Sequence, residues 1–112
     1  MKKPNCTYTD FQKLDLRVGQ IITVTPIEGS NKLLALSVDF GLDYGVVEIL
    51  SGISQLYKPE QLTGNKYLFL ANLEPKKMMG RMSNGMVFAT ETPPKYALIK
   101  VSKQLKNGIA LC

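Results

Sequence analysis

Three consecutive apolar runs of strand character occupy the first half of this 112-residue chain. Period-two alternation and β-branched residues define these runs as Leu16–Pro26, Leu33–Phe40 and Val46–Ile53. The segments IEGSN and GLDYG lie between them, and Gly, Asn, Asp and Ser are residues that favour turns. Because connections this short join neighbouring strands in an antiparallel arrangement, the pattern predicts a three-stranded meander.

The pattern changes after the third run. The segment SQLYKPEQLTG contains Pro59 and ends at Gly64, which predicts a helical turn or short helix instead of a strand. Strand-like runs then resume in four segments: Lys66–Leu73, Gly85–Thr90, Tyr96–Val101 and Ile109–Cys112. A meander, a short helix and further strands follow the order of the OB-fold, a five-stranded Greek-key barrel. SH3-like barrels and sandwich fragments are the alternatives, because alternation alone does not determine topology.

The composition predicts one soluble domain with a basic second half. Hydrophobic residues make up 45% of the chain, no apolar run reaches roughly 18 residues, and the N-terminus MKKPNCTYTD lacks an apolar signal segment. We therefore expect a cytoplasmic protein that does not bind membranes. Residues 57–112 contain nine Lys or Arg against three Glu, whereas residues 1–56 contain five against six acidic residues. A basic surface attracts anionic partners such as nucleic acid, although a solvated lysine-rich face is the alternative.

Residues that metal binding and catalysis usually require are scarce. The chain has no His, and Cys6 and Cys112 lie near its ends without CxxC spacing. The sequence therefore predicts unpaired thiols, no metal site, no cofactor and no enzymatic activity. Arg17 is expected to have a structural role, pairing with Asp15 or Asp39 in the strand region.

The segment Asn72–Met86, NLEPKKMMGRMSNGM, places three cations and four methionines within fifteen residues. Its apolar residues follow neither the period of a helix nor that of a strand. Lys and Arg neutralise phosphates, and flexible Met side chains adapt to irregular surfaces. The segment therefore predicts either a nucleic-acid-binding surface or a solvated loop between two strands.

Four motifs occur in order along the chain: FQKLDLRVGQI, NKLLALSVDFG, SGIS with YKPEQLTG, and NLEPKKMMGRMSNGM. Together they resemble the tRNA-binding domain shared by stand-alone dimeric tRNA-binding proteins, the C-terminal extension of methionyl-tRNA synthetases and endothelial monocyte-activating polypeptide. The resemblance implies an all-β OB-fold barrel with a short helical connection between strands 3 and 4 and a C-terminal strand extension. It implies a single domain over residues 1–112, with the barrel at about 14–92 and a dimerisation extension at about 96–112.

The resemblance also implies recognition of tRNA by its shape, around its outer corner, with little dependence on sequence. Carried over by position, it implies an RNA-binding surface of nine residues: Asn72, Lys76, Lys77, Met78, Arg81, Ser83, Met86, Lys32 and Ser51. The cations would contact phosphates, Asn72 and Ser83 would donate to phosphates or 2′-hydroxyls, and Met78 and Met86 would lie against sugars or an unstacked base.

Structural roles compete with these assignments at three positions. Asn72 could stabilise the loop after the fourth strand, Ser83 could serve a turn, and Met86 could belong to the core. The chain also departs from the family pattern in two places. The first hairpin contains Glu28 and no histidine, and Glu48 stands where a basic residue often precedes the Ser-Gly of the third strand. One phosphate contact is therefore expected to be missing or repelled.

Three function hypotheses remain open. The first is a tRNA-binding protein that acts as a homodimer or as a separately encoded partner of an aminoacyl-tRNA synthetase, with the methionyl type favoured. In this hypothesis the tail ALIKVSKQLKNGIALC is long enough to form two strands of a dimer interface. The second is a protein resembling the secretion-associated chaperones of the same superfamily, which bind apolar peptides in a groove at the dimer interface. The third, an enzyme, lacks the usual catalytic residues.

Overall fold

A computed structural model describes residues 1–112, and most of its regular structure is β. Two short helices and seven strands occur in this order: α1 Tyr8–Gln12, β1 Leu16–Pro26, β2 Leu34–Asp39, β3 Val46–Ser51, α2 Pro59–Leu62, β4 Lys66–Leu70, β5 Lys76–Met78, β6 Arg81–Ser83 and β7 Met86–Val87. Helix α1 was not predicted. It has only five residues, and the Thr7 hydroxyl caps it by accepting a hydrogen bond from the Asp10 amide at 3.0 Å.

Five strands form one antiparallel sheet in the order β3-β2-β1-β4-β7. The two edge strands of this sheet, β3 and β7, lie against each other, so that the sheet nearly closes into a barrel. Strands β5 and β6 form a separate hairpin that packs against β3. The predicted five-stranded barrel of the OB type is confirmed, and so is the short helix, α2, between the third and fourth strands.

Strand β1 pairs with two neighbours because it changes direction partway along. Its residues 16–20 pair with β4 and its residues 20–26 pair with β2, with a shift of register between Ile21 and Thr23. The bend therefore lies at Ile22. Gly19 allows close packing: a Cβ there would lie 2.6 Å from the Val38 side chain and 2.8 Å from that of Phe69.

The core fills the barrel between the sheet and α2. Phe40 and Phe69 pack edge to face with ring centroids 5.3 Å apart, and Leu36, Ile49 and Leu62 are fully buried around them. Burying each such side chain contributes about 1.5–3 kcal/mol relative to exposure. The apolar runs of the sequence thus supply this core, as their alternation predicted.

The C-terminal residues differ from the prediction of two further strands. They lie against the sheet but form only isolated bridges: Ala89 with Leu98, Tyr67 with Lys100 and Arg17 with Ala110. The Val18 amide donates to the Ile109 carbonyl at 3.0 Å, on the side of β1 that β2 leaves free. The segment therefore completes the hydrogen bonding of β1 and β4, and its paired stretches are too short to count as strands. The predicted strands Lys66–Leu73 and Gly85–Thr90 are also shorter in the structure, where β4 ends at Leu70 and β7 ends at Val87.

Arg17 joins β1 to this C-terminal segment. Its guanidinium donates to Asp15 at 2.6 and 3.1 Å, to Asp43 at 2.8 Å and to the Gly108 carbonyl at 3.0 Å. Pairing with Asp15 was predicted, but the second carboxylate is Asp43 and not Asp39. The side chain of Asp39 instead accepts hydrogen bonds from the Gly41 amide in its own turn and from Asn107 in the C-terminal segment.

Candidate nucleic-acid interface

The segment with no clear periodicity folds as the β5–β6 hairpin. Lys76 pairs with Ser83, Lys77 with Met82 and Met78 with Arg81 across its two strands. Met79 and Gly80 form the turn, with φ angles of 52° and 79°. Two-residue hairpin turns of type I′ need positive φ at both positions. The three-residue strands are too short to show alternation, which is why the sequence left a loop open as the alternative.

The two faces of the hairpin have different environments. Met78 packs against the small apolar cluster of Ile27, Ala35 and Leu50 on the barrel. Neighbouring residues in a strand point to opposite faces, so Lys77 projects away from that cluster. Lys76 and Lys77 are both exposed, and neither forms an ion pair. The hairpin therefore presents two available ammonium groups to solvent.

Arg81 already has an anionic partner. Its Nε donates to Glu48 Oε2 at 3.0 Å, and a second guanidinium nitrogen donates to Glu48 Oε1. The hydrogen bond with Glu48 raises the pKa of Arg81, so the guanidinium stays charged. The pair is open to water, with side-chain exposures of 41% and 36%. Glu48 was expected to leave one phosphate contact missing or repelled. It instead forms an ion pair with Arg81, one of the cations predicted to contact phosphates.

Asn72 and Ser83 stabilise the local fold through hydrogen bonds. The Asn72 amide oxygen accepts from the Asp15 amide at 2.8 Å, and its nitrogen donates to the Lys13 carbonyl at 2.7 Å. Ser83 is 5% exposed, and its hydroxyl accepts from the Leu50 amide at 3.0 Å and contacts the Gly85 carbonyl. Their polar atoms are engaged within the protein, which supports the structural alternative at both positions.

The other predicted residues meet at a cavity of about 930 Å³. Lys32, Ser51 and Met86 all line it, although they come from three distant parts of the sequence. Met86 is 39% exposed and therefore does not belong to the core. Strand β7 orients its side chain outward because the next residue, Val87, is buried.

The turn between β1 and β2 connects the hairpin with this cavity. A Cβ built on Gly29 would lie 3.3 Å from the terminal methyl of Met79 at the tip of the hairpin. Lys32, three residues further along the same turn, lines the cavity. The hairpin, the turn and the cavity therefore form one continuous surface, which we call the basic face.

Several residues of the basic face were missed from the sequence. The cavity wall also includes Leu56, Phe88, Lys95 and Tyr96. The dipeptide Lys95–Tyr96 directly after two prolines was a usable signal, because a cation beside an exposed aromatic residue in a loop is typical of nucleic-acid-binding sites. Leu56 and Phe88 gave no signal of their own, since an apolar residue in a strand or turn is normally part of a core.

The fold and its surface define a small barrel domain of the OB type that carries an exposed basic hairpin beside an apolar cavity. Residues 16–110 match the family described as a putative tRNA binding domain. The chain therefore belongs to the tRNA-binding domain family, and the resemblance noted from its four motifs is confirmed.

Individual relatives are similar over nearly the whole chain. The methionine–tRNA ligase of Clostridium acetobutylicum is 47% identical over 108 residues, which cover 95% of this chain but only 16% of the ligase. The MetRS related protein from Pyrococcus horikoshii superposes with a TM-score of 0.90 at 33% identity, covering 98% of this chain and all of that one. The chaperone CsaA from Picrophilus torridus superposes with a TM-score of 0.87 at 27% identity, covering 96% of this chain and all of the chaperone.

Three further features of the chain concern membrane spans, metal ligands and cysteines. None of its helices is both long enough and apolar enough to cross a membrane. No group of three or more His, Cys, Asp or Glu side chains is arranged to hold a metal ion. Cys6 and Cys112 are free thiols at the surface.

Proposed function

We propose that this chain is a non-catalytic domain that binds tRNA through the basic face, recognising the folded shape of the RNA with little dependence on its sequence. The observation that carries the proposal is the exposed hairpin with Lys76, Lys77 and Arg81 on a barrel of the tRNA-binding domain family. The major groove of duplex RNA is too narrow for side chains to read, so proteins contact its phosphates, its 2′-hydroxyls and its exposed loop bases. Exposed cations on a rigid hairpin suit that mode of recognition.

The nine residues implied by the resemblance take different parts in this proposal. Lys76 and Lys77 bind phosphates directly, and Arg81 does so after it exchanges Glu48 for a phosphate. Lys32, Ser51 and Met86 contact the RNA at the cavity. The three remaining residues act through the fold, because their contacts lie within the protein: Met78 and Ser83 hold the hairpin in position, and Asn72 joins the loop after β4 to the residues before β1.

We further propose that one domain spans residues 1–112 and that two copies associate through the extension of residues 96–112, with the contacts made beyond Tyr96. Exposed apolar side chains in that segment support this assembly: Ile99, Leu105, Ile109 and Leu111. Similarity to methionine–tRNA ligase and to the MetRS related protein supports a link with an aminoacyl-tRNA synthetase in the cytoplasm. A dimer would present two basic faces to one tRNA, which raises avidity without any new contact.

Binding of the purified protein to total tRNA and to a length-matched single-stranded RNA tests this proposal. The affinity for each RNA is measured at low and at physiological salt, and the mass of the protein is recorded by sedimentation in the same samples. We expect a dimer that binds folded tRNA more tightly at both salt concentrations. Equal binding to both RNAs that disappears at physiological salt would reduce the basic face to a nonspecific patch.

Binding of apolar peptides is the second candidate function. The similarity to the chaperone CsaA and the apolar wall of the cavity, with Leu56, Phe88 and Met86, favour it. Salt separates the two functions. A phosphate-binding surface loses affinity as counterion concentration rises, whereas an apolar groove changes little. Peptide binding that is independent of salt, together with RNA binding no stronger than that of a matched basic protein, would favour the second function.

A further inference from the structure

The cavity of the basic face has the size of a small-molecule site. Its volume of about 930 Å³ lies within the roughly 300–1,000 Å³ that is usual for ligand pockets. One wall consists of β7 and the residues after it, up to Tyr96. The opposite wall consists of Lys32 and of residues 51–56, which follow β3. The cavity lies between three segments, namely Lys32, residues 51–56 and residues 86–96, and exposed side chains contribute to its lining. It is therefore a recess in the surface and not a gap within the core.

The lining combines an apolar floor with a charged rim. Leu56, Met86 and Tyr96 are exposed large apolar side chains, and Phe88 is partly buried behind them. Two cations, Lys32 and Lys95, and one carboxylate, Glu91, are the ionised groups of the rim. A flat ring with anionic groups on either side matches this arrangement, whereas a purely apolar ligand would leave both ammonium groups without a partner.

Tyr96 is held at the mouth of the cavity by its backbone. Its φ angle is +63°, a left-handed conformation that residues other than glycine rarely adopt. The Tyr96 amide donates to the Thr90 carbonyl at 2.8 Å, and the Ala97 amide donates to the Thr90 hydroxyl at 3.1 Å. The same hydroxyl donates to the Pro94 carbonyl. These bonds hold the ring 49% exposed instead of letting it fold onto the core.

We propose that this cavity binds one unstacked nucleobase, which stacks on the Tyr96 ring while Lys32 and Lys95 contact the phosphates on either side of it. The Ser51 hydroxyl, which can donate and accept, faces the same space and would bond to the edge of the base. The inference rests on the proposed function, because Lys32 joins the cavity to the hairpin and one RNA strand would contact both. It goes further by assigning the base to a defined cavity with Tyr96 and Lys95, where the family resemblance implied only that Met78 and Met86 lie against sugars or an unstacked base.

A pair of short RNAs tests the inference without any substitution in the protein. Fluorescein-labelled hexa-adenylate and its counterpart without bases carry the same phosphates, so they differ only in the rings that could stack. We expect anisotropy titrations at low salt to show hexa-adenylate binding about tenfold more tightly, since stacking of one base on an aromatic ring changes affinity by roughly five- to a hundredfold. Equal affinities in the unmodified protein would overturn the inference.

Substitutions then locate the effect. Tyr96→Ala should reduce hexa-adenylate binding to the level of the RNA without bases, and Tyr96→Phe should keep the preference because the ring remains. Tyr8→Ala is the matched control, since Tyr8 is exposed and does not line the cavity. Leu56→Ala, at the opposite wall, provides a second variant and should lower the preference about two- to threefold. A preference that survives Tyr96→Ala and Leu56→Ala would overturn the proposed site.

Three measurements separate this inference from its competitors: RNA titration, sedimentation and peptide binding. The double variant Lys76→Ala/Lys77→Ala should lower the affinity for both short RNAs equally. If it does so while both RNAs bind the unmodified protein equally well, the proposed function stands and the nucleobase site is wrong. If neither RNA nor tRNA binds, both proposals fail. A change of sedimentation mass in Tyr96→Ala would assign Tyr96 to a subunit interface, and tight binding of an apolar heptapeptide that depends on Tyr96 would assign the cavity to peptides. Either result would overturn the inference.

Discussion

At the scale of single residues, the pairing of Arg81 with Glu48 is the contact with the most direct consequence for binding. Both side chains are exposed, so water can replace the carboxylate, and ion pairs this exposed contribute little to stability. A backbone phosphate carries the same single negative charge as a carboxylate and can also accept two parallel hydrogen bonds from a guanidinium, so it can compete for Arg81. Glu48 acts in this view as a competing anion built into the protein, which lowers the affinity that the hairpin would otherwise reach.

Replacement of Glu48 by Gln should raise the affinity for tRNA by about two- to fivefold, because it removes the competing carboxylate at the cost of one exposed ion pair. The dissociation constant is measured at a fixed salt concentration. Glu60→Gln, on the exposed part of α2, adds the same net charge away from the hairpin and is the control. If Glu48→Gln lowers affinity while Glu60→Gln does not, Glu48 holds Arg81 in the binding geometry and the competition argument is wrong.

The second residue-scale feature is the acid sensitivity that Asp15 confers on the fold. Hydrogen bonding from Arg17 lowers the pKa of Asp15 below its usual value of 3.8; burial opposes this shift, and the Tyr44 hydroxyl, at 2.5 Å, adds to it. In turn, the hydrogen bond to Asp15 raises the pKa of Tyr44. A carboxylate with a lower pKa in the folded state stabilises the fold above its unfolded pKa and ceases to do so as the pH falls through its folded pKa.

The free energy of unfolding should therefore decline between about pH 5 and about pH 2, and the variant Asp15→Asn should decline less over that range. At pH 7 the same variant should be less stable by roughly 1–2 kcal/mol, because Arg17 loses a charged acceptor but keeps Asp43. Urea denaturation at a series of pH values measures both effects. Glu74→Gln, in an exposed loop, should behave like the unmodified protein. Identical pH profiles for Asp15→Asn and the unmodified protein would show that Asp15 is not the source of the acid sensitivity of folding.

At the scale of secondary-structure elements, the β5–β6 hairpin separates the binding charges from the core. Its contacts with β3 run through Ser83, Met78 and Arg81, whereas Lys76 and Lys77 make no ion pairs. The two lysines are therefore removable without a cost in packing. This arrangement explains why a segment with no amphipathic pattern is ordered: the barrel supplies the partners that the short strands lack.

The double variant Lys76→Ala/Lys77→Ala should weaken tRNA binding for every tRNA and make its salt dependence shallower. Each phosphate contact contributes roughly 0.7–0.9 to the slope of log affinity against log salt, so two lost contacts should reduce the slope by about 1.5. Titrations at several salt concentrations measure it. Lys2→Ala/Lys3→Ala removes the same charge from the exposed N-terminus as a control. Equal slopes for the hairpin variant and the unmodified protein would remove both lysines from the site.

At the scale of the whole molecule, the C-terminal segment has two roles in our proposals. It completes the hydrogen bonding of β1 and β4, and it exposes several large apolar side chains. Exposed apolar side chains that share one segment indicate a surface for association, whereas isolated ones are common on any protein. The proposed dimer would cover these side chains and place two basic faces on one assembly.

The double variant Leu105→Asp/Leu111→Asp should halve the sedimentation mass, because a charge buried without a partner opposes association. Both residues are partly exposed in a single copy, so the thermal midpoint of the monomer should change little. Leu42→Asp, fully exposed outside the segment, is the control and should leave the mass unchanged. If the loss of mass occurs with Leu42→Asp instead, the interface lies at the β2–β3 turn and not in residues 96–112.

Much of the barrel was predictable because its information is local. Alternation along Leu16–Pro26 and the two following runs records which side chains are buried, and Pro59 with Gly64 marks the bounds of a helix as short as α2. The family motifs then selected the OB-type barrel from the other barrels with the same pattern. The concentration of cations in residues 76–81 was likewise visible in the sequence, since charge needs no partner to be counted.

Partners that are distant in the sequence were decided by the tertiary structure alone. Glu48 meets Arg81 because the nearly closed barrel brings the β5–β6 hairpin against β3. The cavity forms because Lys32, Ser51 and Met86 converge from three separate segments. Periodicity reports the burial of each residue but not the register or closure that determines which residues face each other. For this protein, the sequence therefore determined the class of fold and the sign of the surface charge, and the tertiary structure determined which charges are available and which residues meet at the cavity.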